Sequence, residues 1–308
     1  MLLSDILNEM KFQKKYVILS ECDFEGLALT ASDVDFNTCV FLDNEKYLND
    51  VKQNVCMICA TEAVAEKLKM AGWNKGICVT ENPRMLFFEV HNFLAENEAY
   101  PYCRKRFETK IGQNCKIDET ASISKNNVII GNDVIIEEFV VIRENTVIGD
   151  HSIIRAGSKI GGVGFEFKRD GDVILSVAHA GGVNIGEHVE IQYNACIDRA
   201  VYPWDNTVIG NYVKIDNLVH IAHGVKVEDN VMLVAQCGVG GRTVIGEKSW
   251  IGFSATVSNG LHIGKNARVN IGSVATKDVP DDHSVTGNFA IEHGKFIKNL
   301  KRINETES

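Results

Sequence analysis

The chain has 308 residues, of which 45% are hydrophobic and 24% are charged, so it is long enough to bury a sizeable core and to form two domains. Its formal net charge of −9 argues against a nucleic-acid partner, because binding to a phosphate backbone requires a basic face. No apolar run approaches the roughly 20 residues of a membrane span, and the first residues lack the apolar block of a signal peptide. The nine cysteines are scattered and odd in number, which favours reduced thiols over a disulfide framework. We therefore expect a cytoplasmic globular protein.

Residues 1–100 predict a small α/β domain. Apolar runs typical of strands, namely YVILS, TCVFL, VCMICA and GICVT, alternate with helical patterns around EAVAEKLKMAG and PRMLFFEVHNFLAE. Cys56 and Cys59 lie within one of these runs. We interpret them as part of a buried strand, because a zinc site of this kind usually has a second cysteine pair.

Residues 101–275 are dominated by a six-residue repeat. An aliphatic residue occupies every sixth position from Ile209 to Val269, eleven in a row, and an earlier block keeps this period from Ile111 to Ile160 with one slip of one residue. Neither a strand of period two nor a helix of period 3.6 explains such a pattern. Three six-residue sides make a triangular coil, and stacked coils bury a column of aliphatic side chains. The repeat therefore predicts a mainly β protein built on a parallel β-helix of about eight coils.

One segment, residues 161–184, is predicted to leave the coil outright, whereas the register passes through Pro203 without loss of phase. This loop insertion is rich in glycine and carries Phe165 and Phe167 in GFEF. It forms either a lid or a plain surface excursion. Residues 276–308 are predicted to be a loop followed by a short helix, EHGKFIKNLKRI, whose basic face is either solvated or in contact with phosphates or an acidic carrier protein.

The coil spacing suggests one catalytic pair. Residues 18 apart should stack on neighbouring coils, which places His223 on Gly241. A neutral imidazole and a backbone N–H are the base and the oxyanion donor that acyl transfer to an amine requires. The alternative is that His223 only decorates a subunit seam. His220 cannot share a face with His223 in a strand, so a two-histidine metal site is weakly supported, and spacing does not distinguish His179 from a surface histidine.

The hexapeptide pattern resembles the left-handed β-helix acyltransferase superfamily, and this resemblance implies a left-handed solenoid and a homotrimer with active sites between adjacent solenoids. Over nearly the whole chain, the order of motifs further resembles the family of UDP-3-O-acylglucosamine N-acyltransferases of lipid A biosynthesis. The segments that carry the resemblance are FLDNEKY, ENPRMLF, GVGFEF, HAGGVNIGEHVEI, NACIDRA and KIDNLVHIAHGV.

The resemblance implies a role for individual residues. Phe41 and Tyr47 would hold a pyrimidine base with Asn44 near it, His223 would be the catalytic base, and Gly241 would supply the N–H for the oxyanion. No metal ligand is implied. Further substrate contacts implied by the matching motifs are Phe165 and Phe167 of the lid, His179 of the glycine-rich return, and Asp216 and Asn217 of the KIDN segment.

Several positions depart from the family's pattern. The family's second active-site histidine, 37 residues after the first, falls at Gly260, so its role is absent or passes to another residue such as His262. Glu166 replaces a lid glycine, and His179 replaces a glutamine. The C-terminal extension is short, and SVATKDVP with VTGNFA resembles the ending of coenzyme A-dependent hexapeptide transferases. These departures bear on the acyl donor and the lipid substrate but leave amine acylation intact.

The sequence therefore predicts an N-acyltransferase without a bound cofactor. It would move an acyl group from acyl-CoA or acyl carrier protein to the amine of a UDP- or dTDP-linked amino sugar, for surface glycan or lipid A synthesis. The narrower alternative is the lipid A-specific UDP-3-O-(3-hydroxyacyl)glucosamine step. Two alternatives of other classes are a non-catalytic nucleotide-sugar binding protein and a metal-dependent hydratase, which would need three converging histidines. The motifs leave open the sugar, the ring position of its amine and the acyl length.

Overall fold

The N-terminal part of the chain is a five-stranded sheet with packed helices in the computed structural model, which describes residues 1–287 and 289–305. In chain order its elements are α1 (Leu3–Glu9), β1 (Tyr16–Ser20), β2 (Gly26–Leu27), β3 (Thr38–Leu42), a 3-10 helix (Glu45–Asp50), β4 (Val55–Ala60), α2 (Glu62–Met70), β5 (Gly76–Thr80) and α3 (Pro83–Ala95). The strand order is β1-β5-β4-β3-β2, with β1 antiparallel to β5 and the other pairs parallel. The four apolar runs of the sequence become β1, β3, β4 and β5.

Helices α2 and α3 begin where the sequence supplies a capping side chain. Thr61 and Asn82 accept hydrogen bonds from backbone N–H groups in the first turns of α2 and α3. Pro83 fills the first position of α3, where no intrahelical N–H is required. The buried face of α3 includes Phe87 and Phe88, which fixes this helix against the sheet.

The following part of the chain is a parallel β-helix with one hairpin inserted. Its strands are β6 (Lys110–Ile111), β7 (Lys116–Ile117), β8 (Ser122–Ile123), β9 (Val128–Ile130), β10 (Ile135–Ile136), β11 (Val141–Ile142), β12 (Thr146–Ile148), β13 (Ile153–Ile154), β14 (Lys159–Gly162), β15 (Phe167–Asp170), β16 (Val173–Ser176), β17 (Gly182–Ile185), β18 (Glu190–Ile191), β19 (Cys196–Asp198), β20 (Asn206–Ile209), β21 (Lys214–Ile215), β22 (His220–Ile221), β23 (Lys226–Val227), β24 (Met232–Leu233), β25 (Gly238–Val239), β26 (Val244–Ile245), β27 (Trp250–Ile251), β28 (Thr256–Val257), β29 (His262–Ile263), β30 (Arg268–Val269), β31 (Val274–Ala275) and β32 (Ser284–Val285). The helix α4 (His293–Glu305) follows.

Three parallel sheets of eight, nine and eight strands form the sides of the coil. Successive strands of one side pair 18 residues apart, as Lys214 does with Met232. The repeating aliphatic residues are buried in one continuous column, including Ile215, Ile221 and Val227. Burial of each such side chain contributes roughly 1.5–3 kcal/mol, so the column supplies the main stabilisation of this part. The predicted mainly β, parallel solenoid is confirmed.

The coil is interrupted twice, and the prediction that only residues 161–184 leave the register was wrong. Glu190 pairs with Lys214, 24 residues later, which is six residues more than one coil. The extra residues lie between β19 and β20, where Tyr202 and Trp204 pack into the core of the N-terminal part and Trp204 donates a hydrogen bond to a carbonyl of β2. An excursion of six residues preserves a six-residue phase, so the period could not reveal it.

The insertion at residues 161–184 contains the antiparallel hairpin β15–β16, which is fastened to the N-terminal part of the chain. At its tip, the carboxylate of Asp170 accepts hydrogen bonds from Lys14 and Asn82. At its base, Asn92 of α3 donates to the carbonyl of Ser176 at 2.8 Å and accepts a backbone N–H two residues later. The hairpin is therefore held at both ends.

The C-terminal helix α4 presents basic residues and large apolar residues at the surface. Among them are Lys295, Lys298 and the exposed Phe296 and Leu300. No helix in the described part of the chain combines the length and the apolar character that a membrane span requires.

Candidate active site

His223 and Gly241 are in contact at one corner of the coil, as the 18-residue spacing predicts. His223 lies between β22 and β23, and a Cβ atom on Gly241 would stand 2.7 Å from Cε1 and 2.8 Å from Nε2 of its ring. Glycine is therefore required for the ring to lie there. Within the described residues, no acceptor takes the backbone N–H of Gly241, and the next N–H, of Arg242, donates to the carbonyl of His223 at 3.0 Å. The corner thus offers an imidazole and an unused N–H side by side.

Glu166 of the insertion lies within hydrogen-bonding distance of His223. Oε2 of Glu166 lies 3.0 Å from Nε2 of His223, and both side chains are about nine-tenths buried. The second carboxylate oxygen pairs with Lys168, whose ammonium also lies 4.5 Å from the ring centre of Phe88. Burial opposes ionisation of Glu166, but the hydrogen bonds from His223 and Lys168 outweigh it and lower its pKa to about 2. The carboxylate is therefore ionised at neutral pH.

His179 packs edge-on against His223, with the ring centroids 5.5 Å apart. Its Nδ1 lies 3.0 Å from the carbonyl of Val177, whereas its buried Nε2 has no hydrogen-bond partner among the described residues. Burial lowers the pKa of His179, and the adjacent His223 lowers it further, so this imidazole is neutral near pH 7. With Nδ1 donating, Nε2 is an unpaired acceptor beside the candidate base.

His220, three residues before His223, belongs to a different pair. Its Nε2 lies 3.0 Å from Oδ2 of Asp198 on the neighbouring strand β19. The hydrogen bond to Asp198 raises the pKa of His220. In the described chain, no group of three His, Cys, Asp or Glu side chains is arranged to hold a metal ion.

A cavity of about 440 Å³ lies between the N-terminal part and the β-helix, next to this corner. Its lining residues are Leu29, Thr30, Ala31, Phe41, Asp43, Tyr47, Asp50, Arg84, Phe88, Lys168, Arg242 and Asn259. Arg242 follows Gly241 directly, and Lys168 is paired with Glu166, so the cavity reaches the His223 corner. Arg242 has no ion-pair partner among the residues that the structure describes. The cavity thus combines aromatic walls with three cationic groups, of which Arg84 pairs with Asp43 and Lys168 with Glu166.

Phe41 and Tyr47 both line this cavity, as a shared binding role would require. The guanidinium of Arg84 lies 5.6 Å from the ring centre of Phe41, and Phe88 packs on the same ring at 5.9 Å. Tyr47 is partly exposed. Asn44 does not line the cavity; its side chain accepts the backbone N–H of the second residue of the 3-10 helix at 3.0 Å.

The four remaining predicted contact residues are not among those that line this cavity. Phe165 and Phe167 pack against each other at 4.8 Å, and Phe165 is 87% exposed. Asp216 and Asn217 lie at another corner of the coil, between β21 and β22, where their carboxylate and amide oxygens accept backbone N–H groups. Their side chains therefore brace neighbouring coils.

Gly260 and His262 do not bring a second imidazole to His223. Gly260 lies one coil beyond Gly241 and donates its N–H to the carbonyl of Gly241 at 2.9 Å. Its φ of +70° is left-handed, and the space where a Cβ would lie is open. His262 lies exposed on β29.

Sequence reasoning missed most of the charged and polar groups that line the cavity. Arg84, Lys168, Arg242 and Asn259 were not predicted, and Glu166 was noted only as a departure from the family's pattern. Arg242 carried a usable signal, because it follows the predicted oxyanion glycine directly. Arg84 and Lys168 line one cavity although they belong to different parts of the chain, and no local pattern reports such proximity.

The chain is similar to known proteins in its repeats and in its fold. The model of the bacterial transferase hexapeptide family, described as six repeats, matches residues 127–162 and 206–241. The structure of UDP-N-acetylglucosamine acyltransferase from Campylobacter jejuni aligns with a TM-score of 0.53 at 22% identity, over 63% of this chain and 78% of that chain. This likeness shows a shared fold. The repeats and the parallel sheets are typical of left-handed β-helix acyltransferases.

In sequence, the chain is similar to curated UDP-3-O-acylglucosamine N-acyltransferases, which confirms the resemblance found in the motifs. UDP-3-O-acylglucosamine N-acyltransferase 2 of Legionella pneumophila (strain Lens) is 47% identical over 94 residues, 30% of this chain and 27% of that protein. The enzyme of Delftia acidovorans is 32% identical over 154 residues, 50% of this chain and 45% of that protein. The chain thus spans less than half the length of these relatives.

Proposed function

We propose that the chain is an N-acyltransferase that moves an acyl group from a thioester to the amine of a nucleotide-linked amino sugar. The observation that carries the proposal is the cavity that runs from Phe41 and Tyr47 to Arg242, beside Gly241 and His223. The relatives named UDP-3-O-acylglucosamine N-acyltransferase support a UDP-sugar as acceptor and lipid A synthesis as the narrower alternative.

The proposed binding mode assigns each end of the cavity a part of the substrate. The aromatic rings of Phe41 and Tyr47 hold the pyrimidine base, since stacking on aromatic faces suits a flat heterocycle. Arg242 and Lys168 face the diphosphate, because guanidinium and ammonium groups bind phosphate oxygens with charge-assisted hydrogen bonds. Arg84 lies on the Phe41 ring at the base end, where it pairs with Asp43 at 2.6 Å. The sugar amine then lies toward His223, and His179 offers its unpaired Nε2 to a sugar hydroxyl or N–H. Residues 1–100 are thus the nucleotide-binding domain, and residues 101–275 are the acyltransferase domain.

The proposed chemistry needs a base and an oxyanion donor. The amine attacks the thioester carbonyl while His223 accepts its proton, and the oxyanion that forms accepts the N–H of Gly241. Collapse of this intermediate breaks the C–S bond, and the departing thiolate takes the proton from His223. The new amide and the free thiol are the products.

We further propose a left-handed solenoid and a homotrimer. Large apolar side chains, including Phe139, Leu218 and Ile271, are exposed along one corner of the coil, and such a patch favours burial against another subunit. Asp216 and Asn217 precede Leu218 at this corner. If they touch substrate, as their motif implies, they do so in a site shared with the adjacent subunit. We place the reaction in the cytoplasm, where the nine cysteines, all unpaired in the described chain, stay reduced.

The proposed function is tested by following thiol release from acetyl-CoA and 3-hydroxyacyl-CoA with a panel of UDP- and dTDP-linked amino sugars. We expect one nucleotide sugar to gain the mass of one acyl group. If the panel is inert and UDP-3-O-acylglucosamine with hydroxyacyl carrier protein is active, the lipid A alternative is correct. Inertness with every pair, in a protein that still binds a nucleotide sugar, would favour the non-catalytic binding protein.

Removal of the aromatic wall should weaken nucleotide binding without unfolding the protein. Tyr47 is partly exposed, so Tyr47→Ala leaves the core intact but removes one face of the proposed base site. We expect the Kd for UDP, measured by calorimetry, to rise about 10-fold, as the loss of one ring contact of about 1.4 kcal/mol predicts. Tyr212→Ala, a similarly exposed tyrosine on the β-helix, is the matched control. An unchanged Kd in Tyr47→Ala would remove Tyr47 from the site.

A further inference from the structure

Glu166 connects the insertion to the candidate base. Its Oε2 lies 3.0 Å from Nε2 of His223, and its other oxygen pairs with Lys168. The two carboxylate oxygens therefore have different partners, the His223 ring and the Lys168 ammonium. The carboxylate cannot turn away from His223 without losing one of these contacts.

The backbone of Glu166 is held as firmly as its side chain. Its carbonyl accepts the N–H of Val177 at 3.0 Å, which closes the base of the hairpin β15–β16. The hairpin is in turn bonded to α3 through Asn92 and to the N-terminal part through Asp170. A group carried on elements fixed in this way is already in place before substrate arrives. The insertion therefore supplies a carboxylate that is already positioned at His223.

The protonation state of Glu166 determines which nitrogen of His223 carries hydrogen. The carboxylate is ionised at neutral pH, because its hydrogen bonds outweigh burial, and an ionised carboxylate can only accept. The proton between Glu166 and His223 therefore resides on Nε2. No other described residue bonds to the His223 ring nitrogens, so Nδ1 keeps a free lone pair.

We propose that Glu166 is a positioning residue that holds His223 in its Nε2-protonated form and leaves Nδ1 as the atom that takes the proton from the acceptor amine. This inference rests on the proposed acyl transfer. A carboxylate on one ring nitrogen orients the imidazole and stabilises the imidazolium that forms when the other nitrogen accepts a proton. Glu166 thereby supplies a second functional group beside His223, in a chain that has Gly260 at the position of the family's second histidine.

The first experiment reads the tautomer directly. Full-length protein labelled with ¹⁵N-histidine is measured by NMR at about pH 8.5, well above the usual titration range of histidine. We expect His223, assigned with His223→Gln, to carry its proton on Nε2 in the wild type. In Glu166→Gln, a neutral amide replaces the carboxylate, and we expect a mixture of the two tautomers.

The second experiment separates positioning from binding. We expect kcat of Glu166→Gln to fall about 10- to 100-fold while KM for the amino sugar stays within about 2-fold, because the variant loses stabilisation of the imidazolium rather than a substrate contact. Glu166→Asp, which keeps the charge, should recover part of kcat. Glu137→Gln is the matched control: Glu137 pairs with Arg155 at 2.7 Å elsewhere on the coil, and its loss should leave kcat and the His223 spectrum unchanged.

Failure of this inference and failure of the proposed function are distinguishable. A wild-type ring protonated on Nδ1, or an unaltered kcat in Glu166→Gln, overturns the role of Glu166 and leaves acyl transfer standing. An Nε2-protonated ring that changes in Glu166→Gln, in a protein that acylates no nucleotide sugar, supports the pairing and rejects the proposed function. A drop in kcat that Glu166→Asp does not relieve at all would indicate a structural role and overturn the inference.

Discussion

His223→Ala should lower kcat by about 10³-fold. The variant removes the imidazole that takes the amine proton, and general-base catalysis is typically worth 10²- to 10⁴-fold. Binding of the nucleotide sugar should change little, because the cavity that holds it is lined by other residues. The measurement is steady-state kcat and KM with the acceptor found in the panel assay. Near-normal turnover in a folded His223→Ala protein would remove His223 as the base.

His262→Ala is the matched control for this prediction. His262 is exposed on β29 and is the residue to which the sequence pointed as a substitute for the missing second histidine. We expect its removal to leave kcat within about 2-fold of the wild type. Loss of activity in His262→Ala with retention in His223→Ala would transfer the role of base to His262. Because His223→Ala removes a partner of Glu166, we expect a small fall in Tm. Native mass spectrometry should show the same number of copies as in the wild type.

The repeat made the architecture predictable because the chemistry of the coil is local and periodic. One aliphatic residue in six, such as Ile215 or Ile221, must point into the column. This requirement is visible in the sequence as a six-residue period. The stacking of His223 on Gly241 follows from the same arithmetic. The excursion that carries Tyr202 and Trp204 was not predicted, because its six extra residues match the period of the repeat. Its two aromatic side chains pack into the core of the N-terminal part.

The site was predictable in part for the same reason. Residues that lie on the coil or in a recognisable motif, such as His223 and Phe41, were found from spacing or resemblance. Glu166 differs from the family's residue, so resemblance marked it as a departure without giving it a role. Its partner is 57 positions away in the sequence, and the contact exists because the hairpin β15–β16 is fastened to α3. Such a contact depends on tertiary packing that no local pattern encodes.

Gly241→Ala should lower kcat/KM by about 10²-fold although it adds a single methyl group. The new Cβ would stand 2.7 and 2.8 Å from Cε1 and Nε2 of His223, closer than atoms in van der Waals contact, so the ring must move. The displaced ring loses its alignment with both the N–H of residue 241 and Glu166, and removal of one oxyanion interaction alone typically costs 10²- to 10³-fold. Since a side chain can yield more easily than backbone, we expect the fold to survive with a loss of about 1–3 kcal/mol in unfolding free energy.

Gly238→Ala tests whether that loss arises from the contact with His223 rather than from the removal of a glycine. Gly238 lies three residues earlier on β25, and a Cβ there would meet nothing within 4 Å. We expect Gly238→Ala to keep wild-type kcat/KM and a Tm at least as high, because alanine lowers the entropy of the unfolded chain. Equal activity in the two variants would show that the position of the His223 ring against residue 241 does not govern the reaction. A fall confined to Gly241→Ala would place the reacting atoms at this corner of the coil, where the imidazole, the free N–H and the cationic end of the cavity meet.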